Sequence, residues 1–131
     1  MQRDTLAPLV IGGLVAAAIA AGLWVTGGPT SARAEKRDLS RLEDLRRLSE
    51  FINCVAQETK EVPEMLAPMD SCGTDQPFLD RTSNAHYRFE KLSDKSFRLC
   101  ADFERPDLVA DYDIADGSLD RASGCIRMNL R

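Results

Sequence analysis

The sequence has few of the residues that catalysis by side chains needs. His86 is the sole histidine, and aromatic residues make up 6% of the 131-residue chain. A serine or cysteine nucleophile needs a neighbouring base, but the periodicity of the sequence puts His86 on the outward face of a predicted strand. We therefore expect no catalytic activity and no cofactor.

A basic surface is also missing. The net charge is −4, and no group of lysines and arginines is interleaved with aromatic residues. Nucleic-acid-binding domains carry such a group as their electrostatic footprint. We expect no nucleic-acid partner.

Charge is absent from Leu6 to Val25 in the run LAPLVIGGLVAAAIAAGLWV. A helix needs about 20 apolar residues to cross a bilayer. Residues 1–30 are therefore predicted to be a transmembrane anchor that crosses through residues 6–25, followed by a small domain at 31–131. The alternative is a signal peptide, because Ala32, Arg33 and Ala34 match a small-x-small cleavage site. Cleavage there would leave a secreted soluble domain.

The cysteines and the charges that flank the anchor predict opposite orientations. Arg33, Lys36, Arg37 and Arg41 follow the span, which favours a cytoplasmic carboxyl-terminal side. Four cysteines without a CxxC pair favour two disulfides in an oxidising compartment over a zinc site. We give the cysteines more weight. Arginine outnumbers lysine thirteen to four, and we expect a single-pass protein of the bacterial inner membrane with its domain in the periplasm.

One long helix is predicted after the anchor, over residues 35–61, which contain no glycine or proline. At 100° per residue, five apolar positions share an arc wide enough for a core face. They are Leu45, Leu48, Phe51, Ile52 and Val55. Leu39 points nearly opposite Leu48, and Leu42 lies between. These two are interpreted either as lightly buried residues of a stalk or as contacts to another chain.

Strands are predicted by alternating apolar residues in AHYRFEKL, SFRLCADF and CIRMNLR. The short LSDK segment makes the first two a hairpin. The predicted fold class is therefore α+β, with one helix packed on a small antiparallel sheet of about three strands and two disulfides.

The same pattern favours one disulfide pairing among the three that four cysteines allow. Cys100 and Cys125 lie on the polar faces of predicted strands, so a bond between them would join the last strand to the sheet. Cys54 lies on the flank of the helix, and Cys72 lies in the irregular segment that follows. A bond between these two would hold that segment against the helix.

Two further features suggest ligands or partners. In DYDIADGSLD, the carboxylates of Asp111, Asp113, Asp116 and Asp120 surround a glycine, and oxygen-rich loops of this kind suit calcium. The spacing differs from that of an EF-hand, so a solvated acidic turn is the expectation and no metal is predicted. In the anchor, Gly13 and Ala17 belong to a face of small residues that would let another helix pack closely in lipid.

Three segments carry a resemblance to known proteins: DLRRLSEFINCVAQETKEVPEML, HYRFEKLSDKSFRLCADFE and SGCIRMNL. Together they resemble the small pilin-like periplasmic domains of uncharacterised bacterial single-span proteins, and also the major pseudopilins of type II secretion. The resemblance implies an amino-terminal apolar helix that leads to a small antiparallel sheet, and it slightly favours a calcium loop. Residues 1–26 depart from the pilin pattern, because they show no basic leader, processing site or early glutamate. Assembly into a filament is not expected.

The function predicted from these features is a membrane-anchored periplasmic domain that binds a protein partner, as an accessory subunit of a cell-envelope complex. The alternatives are a calcium- or ligand-binding sensor domain and an inert stalk.

Overall fold

The computed structural model describes residues 3–110 and 117–131, with side chains from Leu6 onward. Its helices are α1 (Arg3–Val25) and α2 (Gly28–Thr59), and its strands are β1 (Arg88–Ser93), β2 (Ser96–Cys100), β3 (Ser118–Asp120) and β4 (Cys125–Asn129). The chain divides into two compact units, Met1–Arg33 and Ala34–Arg131.

Helix α1 is long and apolar enough to cross a membrane. Its apolar side chains from Leu6 to Val25 are all exposed. The helix ends at Val25, and Gly27 and Gly28 follow with φ angles of 76° and 67°. Glycine reaches this left-handed region without a steric penalty, which explains how TGGP interrupts the helical backbone.

Helix α2 begins seven residues before the predicted start at residue 35 and ends two residues before the predicted end. The early start is compatible with Pro29, because proline is tolerated in the first turn of a helix, where its missing N–H would have no partner. The predicted core face is buried, with Leu45, Leu48 and Ile52 at 0% exposure.

Within residues 3–110 and 117–131, the sheet has four antiparallel strands in the order β1-β2-β4-β3, where about three were predicted. The missed strand is β3, whose three residues pair with β4. Only Leu119 in it is buried, so its alternation is too short to distinguish from the acidic segment around it. The predicted hairpin is confirmed as β1 and β2.

The inner face of the sheet and helix α2 form one hydrophobic core. Phe97, Leu99 and Ile126 are fully buried in it, together with the helix leucines. The turn before β4 depends on Gly124, which has a φ of 67°, and a Cβ there would collide with the carbonyl oxygen of Ala101. The architecture is therefore α+β, as predicted.

Candidate interaction surface

Two disulfides hold the second unit together, and the part of the chain that the structure describes has no free cysteine. Cys100 and Cys125 are directly opposed on β2 and β4, so their bond joins neighbouring strands. Cys54 on α2 is bonded to Cys72, which fixes the irregular segment after the helix. The pairing is the one that the strand and helix periodicities favoured.

A buried cluster of charged groups surrounds Arg41, whose exposure is 4%. Its guanidinium donates to three carboxylates: Nε to Asp80 Oδ2 at 2.7 Å, and Nη1 to Asp38 Oδ1 at 2.7 Å and to Glu104 Oε1 at 3.1 Å. Glu104 also accepts two hydrogen bonds from Arg37. The cluster thus ties α2 to a loop before β1 and to the segment after β2.

Asp38 links α2 to the backbone of the segment that follows β2. Its Oδ1 accepts the N–H of Glu104 at 2.9 Å, and its Oδ2 accepts the N–H of Arg105 at 2.6 Å. A buried carboxylate is stable only where its oxygens find such donors. Helix α2 therefore supplies acceptors for the backbone N–H groups of Glu104 and Arg105, which follow β2 and belong to no strand.

Burial and hydrogen bonding have opposite effects on the pKa values of Arg41 and Asp80. Burial disfavours the charged form of Arg41, but hydrogen bonds from its guanidinium to Asp80, Asp38 and Glu104 outweigh it and raise the pKa above its usual value. Burial also opposes ionisation of Asp80, yet its bonds from Arg41, Thr82 and Ser83 lower the pKa overall. Arg41 and Asp80 are therefore held in their charged forms.

The pKa values of Glu104 and of the nearby Tyr87 are also shifted. The hydrogen bond from Arg37, followed by that from Arg41, lowers the pKa of Glu104 to about 2. Tyr87 donates its hydroxyl to Asp44 Oδ2 at 2.9 Å. Burial first, and then Asp44, raise the pKa of Tyr87. Both groups are held in the protonation state that their hydrogen bonds require.

Sequence reasoning missed this cluster, although the helical wheel contained a signal for it. At 100° per residue, Asp38, Arg41 and Asp44 fall within or beside the arc that holds Leu45 and Leu48. Charged residues are rarely buried unless they are paired. Their partners come from loops that no periodicity predicts.

The two leucines predicted to contact another chain have different environments. Leu42 is 7% exposed and belongs to the hydrophobic core of its own domain, which corrects its interpretation as a stalk or partner contact. Leu39 remains 44% exposed. Gly13 and Ala17 are exposed on α1, as a face for another helix would need.

Most of the candidate calcium loop lies outside the described residues, because only Asp120 of its four aspartates belongs to them. Asp120 accepts hydrogen bonds from Ala122 N at 3.1 Å and from Ser123 Oγ at 2.6 Å. Both hydrogen bonds lower the pKa of Asp120, and the bond from Ser123 has the larger effect. Within residues 3–110 and 117–131, no group of three or more histidine, cysteine or acidic residues is arranged to hold a metal ion.

An open groove lies between the irregular segment after α2 and strand β1. Its volume is about 440 Å³, within the range of about 300–1,000 Å³ typical of ligand pockets. Met65 on its rim is 73% exposed. The groove is lined by Glu64, Met65, Leu66, Pro68, Phe78, His86, Tyr87 and Phe89. Apolar and aromatic side chains make up most of its lining.

Comparisons of the chain with family models, with curated proteins and with solved structures return no match.

Proposed function

We propose that this chain is a membrane-anchored protein-interaction domain of the bacterial cell envelope. Residues 6–25 hold it in the inner membrane, and the disulfide-bonded domain lies in the periplasm. There it binds a protein partner as an accessory subunit of a larger complex.

One observation carries the proposal: a helix that is uncharged from Leu6 to Val25 precedes a small domain with two disulfides. The helix is suited to lipid because it is apolar on all sides. The disulfides favour an oxidising compartment, since they are rare in the cytosol. A surface for a partner is available in the groove beside β1, and the resemblance to pilin-like periplasmic domains supports the same assignment.

Quantitative capture from membranes tests the proposal. The full chain with a carboxyl-terminal tag is solubilised in mild detergent after reversible cross-linking, and co-purified proteins are quantified against an unrelated single-span protein of equal abundance. We expect one partner in near-stoichiometric amount. Recovery of the chain alone would contradict the interaction function and favour a sensor or an inert stalk.

A further inference from the structure

Along β2, the backbone N–H and C=O groups of successive residues point alternately toward β4 and toward β1. Ala101 N donates to Gly124 O at 3.0 Å, and Leu130 N donates to Lys95 O at 2.8 Å. These two bonds flank the β2–β4 ladder, and they show that odd-numbered residues face β4. Because the direction alternates along a strand, even-numbered residues of β2 face β1.

On β1, the backbone groups of every second residue up to Lys91 therefore point away from the sheet, and the register with β2 shifts between Lys91 and Ser93. Arg98 of β2 is paired with Glu90, so the backbone groups of Glu90 point into the sheet. The N–H and C=O groups of Phe89 and Lys91 point away from it. Within the described residues, no backbone or side-chain hydrogen bond to these outward groups is present.

The next outward position of the edge is Tyr87, and Phe78 from the protein's own chain pairs with it before the chain turns away. Tyr87 N donates to Phe78 O at 3.1 Å, in the manner of an added strand. In the same register, the next residue that could pair with the outward edge is Gln76, opposite Phe89. Phe78 N instead donates to Gln76 O at 2.9 Å. The edge is thus paired at Tyr87 and unpaired at Phe89 and Lys91.

The groove runs along this unpaired edge, since Phe78, Tyr87 and Phe89 are among its lining residues. Its apolar floor lies on the side of the sheet that faces the core, where Phe89 packs near Phe97 with ring centroids 6.3 Å apart. Side chains of an added strand alternate between the two faces. Every second residue of an occupant would therefore enter the groove, and the others would face solvent.

The end of the groove near the hairpin turn has excess negative charge. Lys91 Nζ lies 2.9 Å from Glu64, 3.4 Å from Asp94 and 3.5 Å from Glu61. One cation is thus surrounded by three carboxylates. A complementary occupant has a lysine or arginine at this end.

We propose, building on the interaction function above, that β1 binds an extended segment of the partner protein by strand addition. The segment has apolar residues at alternate positions, which enter the groove beside Met65 and Phe89. A basic residue at one end contacts Glu64 and its acidic neighbours. Backbone hydrogen bonds to Phe89 and Lys91 supply the affinity, and the alternate side chains supply the specificity.

The test uses a phage-displayed library of random 12-residue peptides as the probe, selected on the full chain in nanodiscs. Selected peptides are then synthesised and their Kd values are measured by fluorescence anisotropy. We expect alternating apolar residues and a terminal lysine or arginine. N-methylation of peptide amides should weaken binding at least tenfold at the two alternate positions that face Phe89 and Lys91, and little at the other positions.

Two variants locate the site. Met65→Glu changes an exposed side chain on the groove, and we expect it to raise Kd at least tenfold. Leu108→Glu is the matched control, because Leu108 is exposed at 41% but does not line the groove, and it should leave Kd unchanged. Glu64→Lys should weaken the peptides that carry a terminal cation.

Several results would overturn the strand-addition proposal. One is that no peptide is selected. Another is that N-methylation weakens binding equally at all positions of the peptide. The third is that Met65→Glu and Leu108→Glu raise Kd equally. A dimer of the chain that Met65→Glu abolishes would assign the edge to a second copy. If Met65→Glu and the wild type capture the same partner from membranes equally, the groove assignment fails while the interaction function stands.

Discussion

Arg41 Nε lies 2.7 Å from Asp80 Oδ2, and the two residues are 39 positions apart in the chain. The bond joins helix α2 to the loop before β1, and both side chains are buried. Removing one member of a buried ion pair leaves an uncompensated charge away from water. The pair is therefore a point where a single substitution should weaken the whole domain.

We predict that Arg41→Met lowers the free energy of unfolding by about 3–5 kcal/mol, because Asp38 and Asp80 lose their shared cation. Urea unfolding of the full chain in detergent measures the change. Arg46→Met is the control, since Arg46 pairs with Glu43 on the surface and exposed pairs of this kind contribute little to stability. Equal effects of the two substitutions would show that the cluster does not stabilise the fold.

Acid should destabilise the domain through Glu104. The hydrogen bonds from Arg37 and Arg41 hold its pKa at about 2, below its usual value of 4.5. A carboxyl group with a depressed pKa in the folded state stabilises the protein above its unfolded pKa, and this contribution is lost as the pH falls toward the folded pKa. We therefore expect melting temperatures to fall between about pH 4.5 and pH 2. Asp80, whose pKa is also lowered, acts in the same direction.

Glu104→Gln is the variant that tests the origin of this acid sensitivity. Glutamine does not titrate, so the melting temperature of the variant should fall less steeply than that of the wild type over the same range. Glu43→Gln removes an exposed carboxylate that pairs only with Arg46 in the described part of the chain, and its profile should match the wild type. A Glu104→Gln profile as steep as that of the wild type would assign the acid sensitivity to other groups.

The sequence predicted the elements whose side-chain periodicity reflects their burial. The face of Leu45 and Leu48, the β1–β2 hairpin and the last strand all follow from apolar residues at helical or alternating spacing. The Arg41 cluster and the groove do not follow from it, because both depend on where irregular segments return to the helix and the sheet. Strand β3 was missed since three residues with one buried side chain carry too little periodicity.

The disulfides should contribute a large part of the stability of so small a domain. The Cys100–Cys125 bond spans 25 residues, and closing a loop of that length is worth roughly 3.5 kcal/mol in the chain-entropy model. The double substitution Cys100→Ala and Cys125→Ala should lower the free energy of unfolding by about that amount. Alkylation of unfolded, unreduced wild-type protein should modify no cysteine. Free thiols in protein from an oxidising compartment would contradict the compartment assignment.

Calcium should have little effect on stability. A ligand present at a hundred times its Kd stabilises the folded state by about 2.7 kcal/mol, which corresponds to several degrees for a domain of this size. We expect millimolar calcium to raise the melting temperature by less than about 2 °C, and Asp113→Ala to be silent. A calcium-dependent rise that Asp113→Ala or Asp116→Ala abolishes would replace this expectation with a calcium-binding sensor.

Membrane retention and the intact mass of the mature protein test the central claim most directly. Helix α1 is long and apolar enough to cross a membrane, and we predict a chain that keeps residues 1–34 and stays in the membrane pellet after a carbonate wash. A soluble mature chain that starts at Glu35 would contradict the account, because it would show that Ala32, Arg33 and Ala34 form a cleavage site and that the domain is secreted without an anchor.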